Sequence, residues 1–248
     1  MATNPAIVWL PGWGMPDELW DPIRSGLPAY HHVIPDYTRV TQPEEFIVMI
    51  EKEVGRISHL PLIVVGWSMG GMLAQRLAAR YPVTGLVLIS TTGRFVRSRE
   101  ERSKGWPEAY VTRMQRGLVE DRKHVMEAFY LSILSERERL EKKCSFQVKG
   151  QNEWTQEALR AGLEYLREED CRPFSPALFC PTTIIHGTND TVCPVAAGEE
   201  LAAQIPGATF MQIEDCGHAP LIFHPEIITL AVQRMVEIHG ETDRRKPI

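Results

Sequence analysis

Apolar positions along the chain fall into two alternating patterns. Short apolar runs occur at Ala6-Ile7-Val8-Trp9-Leu10, Leu62-Ile63-Val64-Val65 and Gly85-Leu86-Val87-Leu88-Ile89-Ser90. Others lie at Thr182-Thr183-Ile184-Ile185-His186 and Thr209-Phe210-Met211-Gln212-Ile213, with a weaker one at His31-His32-Val33-Ile34-Pro35. Runs of this length, rich in β-branched residues, predict buried strands. Between them apolar residues recur at helical spacing. Phe46, Ile47, Ile50, Val54 and Ile57 mark an amphipathic helix over 43–58, and Leu19, Trp20 and Ile23 a short one within 18–27. Further helices are predicted over 72–78, 196–205 and 225–238, the last opened by Pro225 in its first turn. The polar end, 240–248, reads as frayed. Strands alternating with helices predict an α/β fold: a doubly wound, mostly parallel sheet of about six strands.

The rhythm breaks once. From 93 to 172 no buried strand is legible, only charged helical segments. Val125, Phe129 and Leu131-Ser132-Ile133-Leu134 give one apolar face there, and Leu159, Leu163 and Leu166 another. An insertion after one strand and before the next falls at the strand ends where such sheets bind ligands. The expected organisation is therefore a core of 1–92 and 173–248 with a helical lid at 93–172. The chain's 248 residues suit one such domain.

The first apolar run that suggests chemistry is 62–66. It stops at Gly66-Trp67-Ser68-Met69-Gly70, a G-x-S-x-G pentapeptide, and helical spacing resumes at Met72. Strand, sharp turn and helix form a nucleophile elbow, which lifts a serine hydroxyl off the sheet edge. Serine is a weak nucleophile at neutral pH and needs a base, which in turn needs an orienting acid. Asp190 follows the strand at 182–186, and His218 follows the strand at 209–213. Ser68, Asp190 and His218 are thus the candidate catalytic residues. Asp215 is a rival acid, but three residues before His218 it is better placed to turn the loop. The expected oxyanion donors are the backbone N–H of Met69, after the nucleophile, and that of Trp13, in Pro11-Gly12-Trp13-Gly14 after the first strand. Gly12 is expected to supply the freedom that turns the Trp13 N–H inward.

Composition narrows the alternatives. A formal net charge of −5 gives no nucleic-acid footprint, and no apolar run reaches a membrane span. Residues 1–5 carry no basic stretch and lead straight into a strand, so they do not read as a signal peptide. The five cysteines (Cys144, Cys171, Cys180, Cys193 and Cys216) form no C-x-x-C pair, which points to reduced thiols and a cytoplasmic protein rather than a disulfide framework or zinc site. Cys216 sits two residues before His218 but competes poorly with a serine in an elbow. No metal and no cofactor are implied.

These motifs carry a family resemblance. Gly12-Trp13-Gly14 with Trp20, Gly66-Trp67-Ser68-Met69-Gly70-Gly71, Gly162-Leu163-Glu164-Tyr165-Leu166 with Asp170 and Arg172, Gly187 with Asp190, and His218-Ala219-Pro220 with His224-Pro225 span nearly the whole chain. The chain resembles α/β-hydrolases, and among them the pimeloyl-(acyl-carrier protein) methyl ester esterases of biotin synthesis. The resemblance implies hydrolysis of a methyl ester on a pimeloyl chain borne by acyl carrier protein, with small esters as further substrates. It also implies that Ser68 is the nucleophile, Asp190 the acid, His218 the base, Trp13 and Met69 the oxyanion donors, and Trp13 a wall of the substrate pocket. There are departures: Pro11-Gly12 stands where many relatives have His-Gly, and 36–41 replaces a glycine-rich loop common in the superfamily.

A general short-chain carboxylesterase, a carbon–carbon hydrolase or a menaquinone-pathway lyase would share the triad. A non-catalytic binding protein would share only the scaffold. Charge bears on the carrier protein. From Arg94 to Arg172 there are 17 basic and 15 acidic residues, leaving 10 basic and 17 acidic elsewhere. Basic side chains near the pocket mouth would steer an acidic carrier. The candidates are Arg94, Arg97, Arg99, Arg102, Arg113, Arg116 and Arg122.

Overall fold

The computed structural model describes residues 4–141 and 154–244, so Cys144 lies outside the described residues. Its sheet has six strands: β1 (Ala6–Leu10), β2 (His31–Val33), β3 (Leu62–Trp67), β4 (Gly85–Ile89), β5 (Thr182–Gly187) and β6 (Thr209–Ile213). They lie in the order β2-β1-β3-β4-β5-β6, and every pairing is parallel. Every residue of β1, β3, β4 and β5 is buried, as continuous apolar runs in a parallel sheet require. β6 is an edge strand with most of its residues exposed or half-buried, which explains its mixed composition.

Helices cover both faces. They are α1 (Asp21–Ser25), α2 (Pro43–Arg56), α3 (Met69–Ala78), α4 (Glu108–Glu120), α5 (Arg122–Ser132), α6 (Glu136–Leu140), α7 (Gln156–Glu168), α8 (Val195–Gln204), α9 (Pro220–Phe223) and α10 (Pro225–Arg244). α2 packs on α3, which lies against β1, β3 and β4; α1 packs on α10, which lies against β3 and β4. α2 starts with a capping box between Gln42 and Glu45 and buries Phe46, Ile47, Ile50 and Val54.

Several boundaries differ from the sequence reading. The short helix within 18–27 is a 3-10 turn, Asp17–Trp20, followed by α1. β2 ends at Val33 because Pro35 offers no N–H and restricts the residue before it. α3 begins at Met69, directly after Ser68, so Gly70 and Gly71 lie in its first turn. α10 continues to Arg244, where fraying was expected from Gly240 onward. Ile228, Ala231, Val232 and Met235 anchor it in the core, and extending an anchored helix needs no new nucleus.

α4 to α7 all lie between β4 and β5. Arg97 fastens this insertion to α8: its side chain is fully buried and pairs with Glu101 (3.1 Å) and with Glu200, which also takes Lys104 at 2.8 Å. Among the described residues no helix is long and apolar enough to cross a membrane.

Candidate active site

The chain leaves β1 for β2 on one side and β3 on the other, so β1 and β3 flank a topological switch point. Register brings Leu10 beside Gly66, Trp67 beside Ile89 and Gly187 beside Ile213. The loops after β1, β3, β5 and β6 therefore open on the same edge of the sheet.

Ser68 stands at the turn from β3 to α3 with φ 57° and ψ −119°, a strained conformation for a residue with a side chain. It is half-buried, so its hydroxyl can be reached. The turn is held on both sides of the strain. Ser68 N–H donates to the Ile89 carbonyl (2.9 Å), and the Ser68 carbonyl accepts from Gly71 N–H (2.9 Å) and Thr91 Oγ1 (2.7 Å). Close approach requires the glycines. A Cβ on Gly66 would lie 2.4 Å from the Gly70 carbonyl oxygen, one on Gly70 2.0 Å from that of Leu10, and one on Gly71 2.5 Å from Thr91 Cβ.

His218 Nε2 lies 2.9 Å from Ser68 Oγ, and its Nδ1 lies 2.7 Å from Asp190 Oδ2. A carboxylate only accepts, so the proton sits on Nδ1, and Nε2 is left to accept the serine proton. Asp190 Oδ1 accepts the backbone N–H groups of Val192 (2.9 Å) and Cys193 (2.8 Å). Burial by itself would push the Asp190 carboxyl up; the His218 charge and hydrogen bonds from His186 and His218 outweigh it and hold it at about 2.

Three neighbours of this chain of contacts were not foreseen. His186 Nε2 lies 2.7 Å from the Cys193 carbonyl, to which it donates, and 3.3 Å from Asp190 Oδ2. Trp67 Nε1 donates to the His218 carbonyl (2.7 Å). Glu138 of α6 accepts from Gly217 N–H (3.1 Å). His186 and Trp67 stand beside motif residues, yet no spacing rule foretells which atom they reach. Glu138 looks like one more solvated charge on a short helix.

The two rivals lie elsewhere in their chemistry. Asp215 is exposed, takes φ 58°, and pairs with Arg137 at 3.2 Å. Cys216 is buried; burial, then the nearby Glu138, pushes its thiol well above the usual range, so it is no thiolate.

Gly12 to Met15 form a turn closed by Met15 N–H on the Gly12 carbonyl (3.2 Å). Its left-handed residue is Gly14, at φ 63°, as the third position of a type II turn needs. The conformational freedom expected of Gly12 thus belongs to Gly14. Gly12 is needed for space instead: a Cβ there would sit 3.2 Å from the Trp67 ring and 3.5 Å from Ser68 Cβ. The loop accordingly runs directly beside the serine. The Trp13 side chain is buried, meets Phe129 edge-on at 4.9 Å, and donates Nε1–H to the Leu159 carbonyl (2.7 Å). Gly162 of α7 lets it in, since a Cβ there would lie 2.5 Å from Trp13 Cδ1. Met69 is the first residue of α3, and first-turn N–H groups lie outside the helix's own ladder.

Beside Phe129 and Thr191, an apolar groove of about 560 Å³ runs between α4 and α5. Trp106, Tyr110, Met114 and Val125 also line it, and Arg113, His124 and Ser132 add polar side chains.

Comparison with known proteins adds to this geometry. Residues 44–225 match the family model described as the alpha/beta hydrolase fold. The pimeloyl-(acyl-carrier protein) methyl ester esterase of Aromatoleum aromaticum is 30% identical over 94% of this chain and 98% of its own. The protein of the same name from Xanthomonas oryzae pv. oryzae is 30% identical over 94% of this chain and 95% of its own. A solved bromoperoxidase from Bacillus anthracis superposes with a TM-score of 0.85 at 17% identity, covering 95% of this chain and 93% of that one, a likeness of fold alone.

Proposed function

The chain belongs to the α/β-hydrolase fold family, and from that premise we propose that it is a serine carboxylesterase that cleaves the methyl ester of a pimeloyl chain carried by acyl carrier protein. The contact of Ser68 Oγ with His218 Nε2 at 2.9 Å, backed by Asp190 at 2.7 Å, is the observation that carries the hydrolytic reading. The names of the relatives supply the substrate.

In this reading Ser68 Oγ attacks the ester carbonyl as its proton passes to His218 Nε2. Asp190 keeps the imidazole in the required tautomer and stabilises the imidazolium. The N–H groups of Trp13 and Met69 hold the oxyanion, each donor contributing about 10²–10³ in rate. His218 then protonates the departing methoxide, which leaves as methanol. Water, losing a proton to His218, attacks the acyl-enzyme and frees the pimeloyl carboxylate and Ser68.

The segment 93–172 serves as the lid over a core of 1–92 and 173–248, and Trp13, packed between α5 and α7, is the wall where lid and oxyanion loop meet. The apolar groove suits an aliphatic chain or the arm that carries it. Of the candidate arginines, Arg94 is paired with Asp170 (3.0 Å) and Arg97 is buried in its own ion pairs. Arg113 and Arg116 lie exposed on α4, with Arg113 at the groove, and are the ones we assign to steering the acidic carrier.

The test is complementation of a biotin auxotroph that lacks its pimeloyl methyl esterase. The intact gene should restore growth and Ser68→Ala should not. A soluble, expressed protein that fails to restore growth yet hydrolyses short esters would overturn the substrate and leave the chemistry.

A further inference from the structure

The insertion does more than border the site: it holds the main chain of the histidine loop. The corner between α5 and α6 touches that loop through successive backbone groups. His218 N–H donates to the Ile133 carbonyl (2.8 Å) and Gly217 N–H donates to Glu138 Oε1 (3.1 Å). The other carboxylate oxygen, Oε2, accepts Ser135 N–H (2.7 Å), while Ser135 Oγ accepts Glu138 N–H (3.2 Å). The Asp190 loop is joined to the same corner, since Thr191 Oγ1 donates to the Ser132 carbonyl (3.1 Å).

The contact is tight and dry. Glu138 is 5% exposed and Ser135 3%, which is unusual for a glutamate on an otherwise charged five-residue helix. A Cβ on Gly217 would lie 2.6 Å from the Ile133 carbonyl oxygen, 2.6 Å from Ser135 N and 2.7 Å from Glu138 Oε2. A buried carboxylate that spends one oxygen on its own helix cap and the other on the neighbouring loop ties the two together with charge-assisted bonds.

We propose that Glu138 is a positioning residue for His218, acting through Gly217, so that the seating of the insertion sets the distance from His218 Nε2 to Ser68 Oγ. This rests on the reading of Ser68 and His218 as nucleophile and base. Reacting groups tolerate little displacement: about 1 Å of misplacement costs on the order of 10²-fold in rate.

The experiment compares wild type with Glu138→Ala, Glu138→Gln, Gly217→Ala and, as an exposed residue of the same helix, Glu136→Ala. Two readouts are taken: the kcat and KM for a short-chain ester, and the rate at which a fluorophosphonate labels Ser68. Labelling reports the serine's activation without any need for an acyl chain to bind. Glu138→Ala should lower kcat and labelling together by about 10-fold or more, with KM within about threefold. Glu138→Gln retains an acceptor for Gly217 N–H and should recover most of the loss. Gly217→Ala wedges the same contact from the other side and should reproduce it, and Glu136→Ala should behave as wild type. If Glu138→Ala does not fold, the Gly217→Ala rate decides. Labelling and kcat within twofold of wild type in whichever of Glu138→Ala and Gly217→Ala fold would overturn the proposal, as a purely structural Glu138 would change melting temperature alone. A wild-type protein that takes no label overturns the esterase reading itself, and this inference with it.

Discussion

Trp67 and His218, 151 positions apart, are joined by a hydrogen bond of 2.7 Å from the indole Nε1–H to the histidine's main-chain carbonyl. The residue before Ser68 thereby holds the residue read as the base. Trp67→Phe keeps the ring and deletes the donor, leaving a buried carbonyl without that partner. Such a loss costs about 1–3 kcal/mol. Ester turnover should fall severalfold with a lower melting temperature, measured by calorimetry beside the kinetics. Unchanged stability and kcat would mean that the loop holds itself.

In the proposed reading Ser68 carries two separable burdens, chemistry and strain. Ser68→Ala should abolish hydrolysis while the strained φ of 57° persists. Ser68→Gly should be equally inactive but more stable by about 1 kcal/mol, since glycine takes positive φ without a steric penalty. At this chain length that is a rise of about 2–4 °C in melting temperature. A glycine variant no more stable than the alanine variant would show that the neighbours bear no strain.

Asp190 links the site to acid stability. Its carboxyl, held at about 2 against an ordinary 3.8, is ionised more readily folded than unfolded. Its contribution is full above the unfolded value and is lost as pH falls from there through about 2; at roughly 1.4 kcal/mol per pH unit it is about 2 kcal/mol. Asp190→Asn should remove that share of the acid dependence and lower kcat by about 10⁴, because the histidine loses its tautomer partner. Urea unfolding between pH 5 and pH 2 measures the first effect. An unchanged acid limb would place the proton uptake in other carboxylates.

Arg97 makes a prediction about stability with no direct chemistry. Its side chain is fully buried against Glu200, itself 16% exposed. Arg97→Ala leaves that carboxylate with only Lys104 and should destabilise the protein by about 3–5 kcal/mol. Glu200→Gln in the same background should recover part of the loss. Chemical denaturation of the single and double variants provides the measurement, and strict additivity would count against a direct pair.

The chain's local order alone determined the strands, most helices and the three side chains, of Ser68, Asp190 and His218, that the structure brings into contact. Each of Ser68, Asp190 and His218 follows its own strand, and parallel pairing brings all strand ends to one edge, so periodicity and spacing carry the information. Boundaries slipped where a neighbour outweighs local preference, as at the end of α10, which core contacts extend beyond Gly240. Tertiary structure alone decided how the site is held. Trp67 reaches a carbonyl 151 positions away, and Glu138 reaches an N–H 79 positions away. His186 reaches Asp190 only because of where β5 ends. Hydrogen bonds across such separations depend on side-chain direction and on which backbone groups packing leaves unpaired. Neither is encoded in the spacing of residue types along the chain.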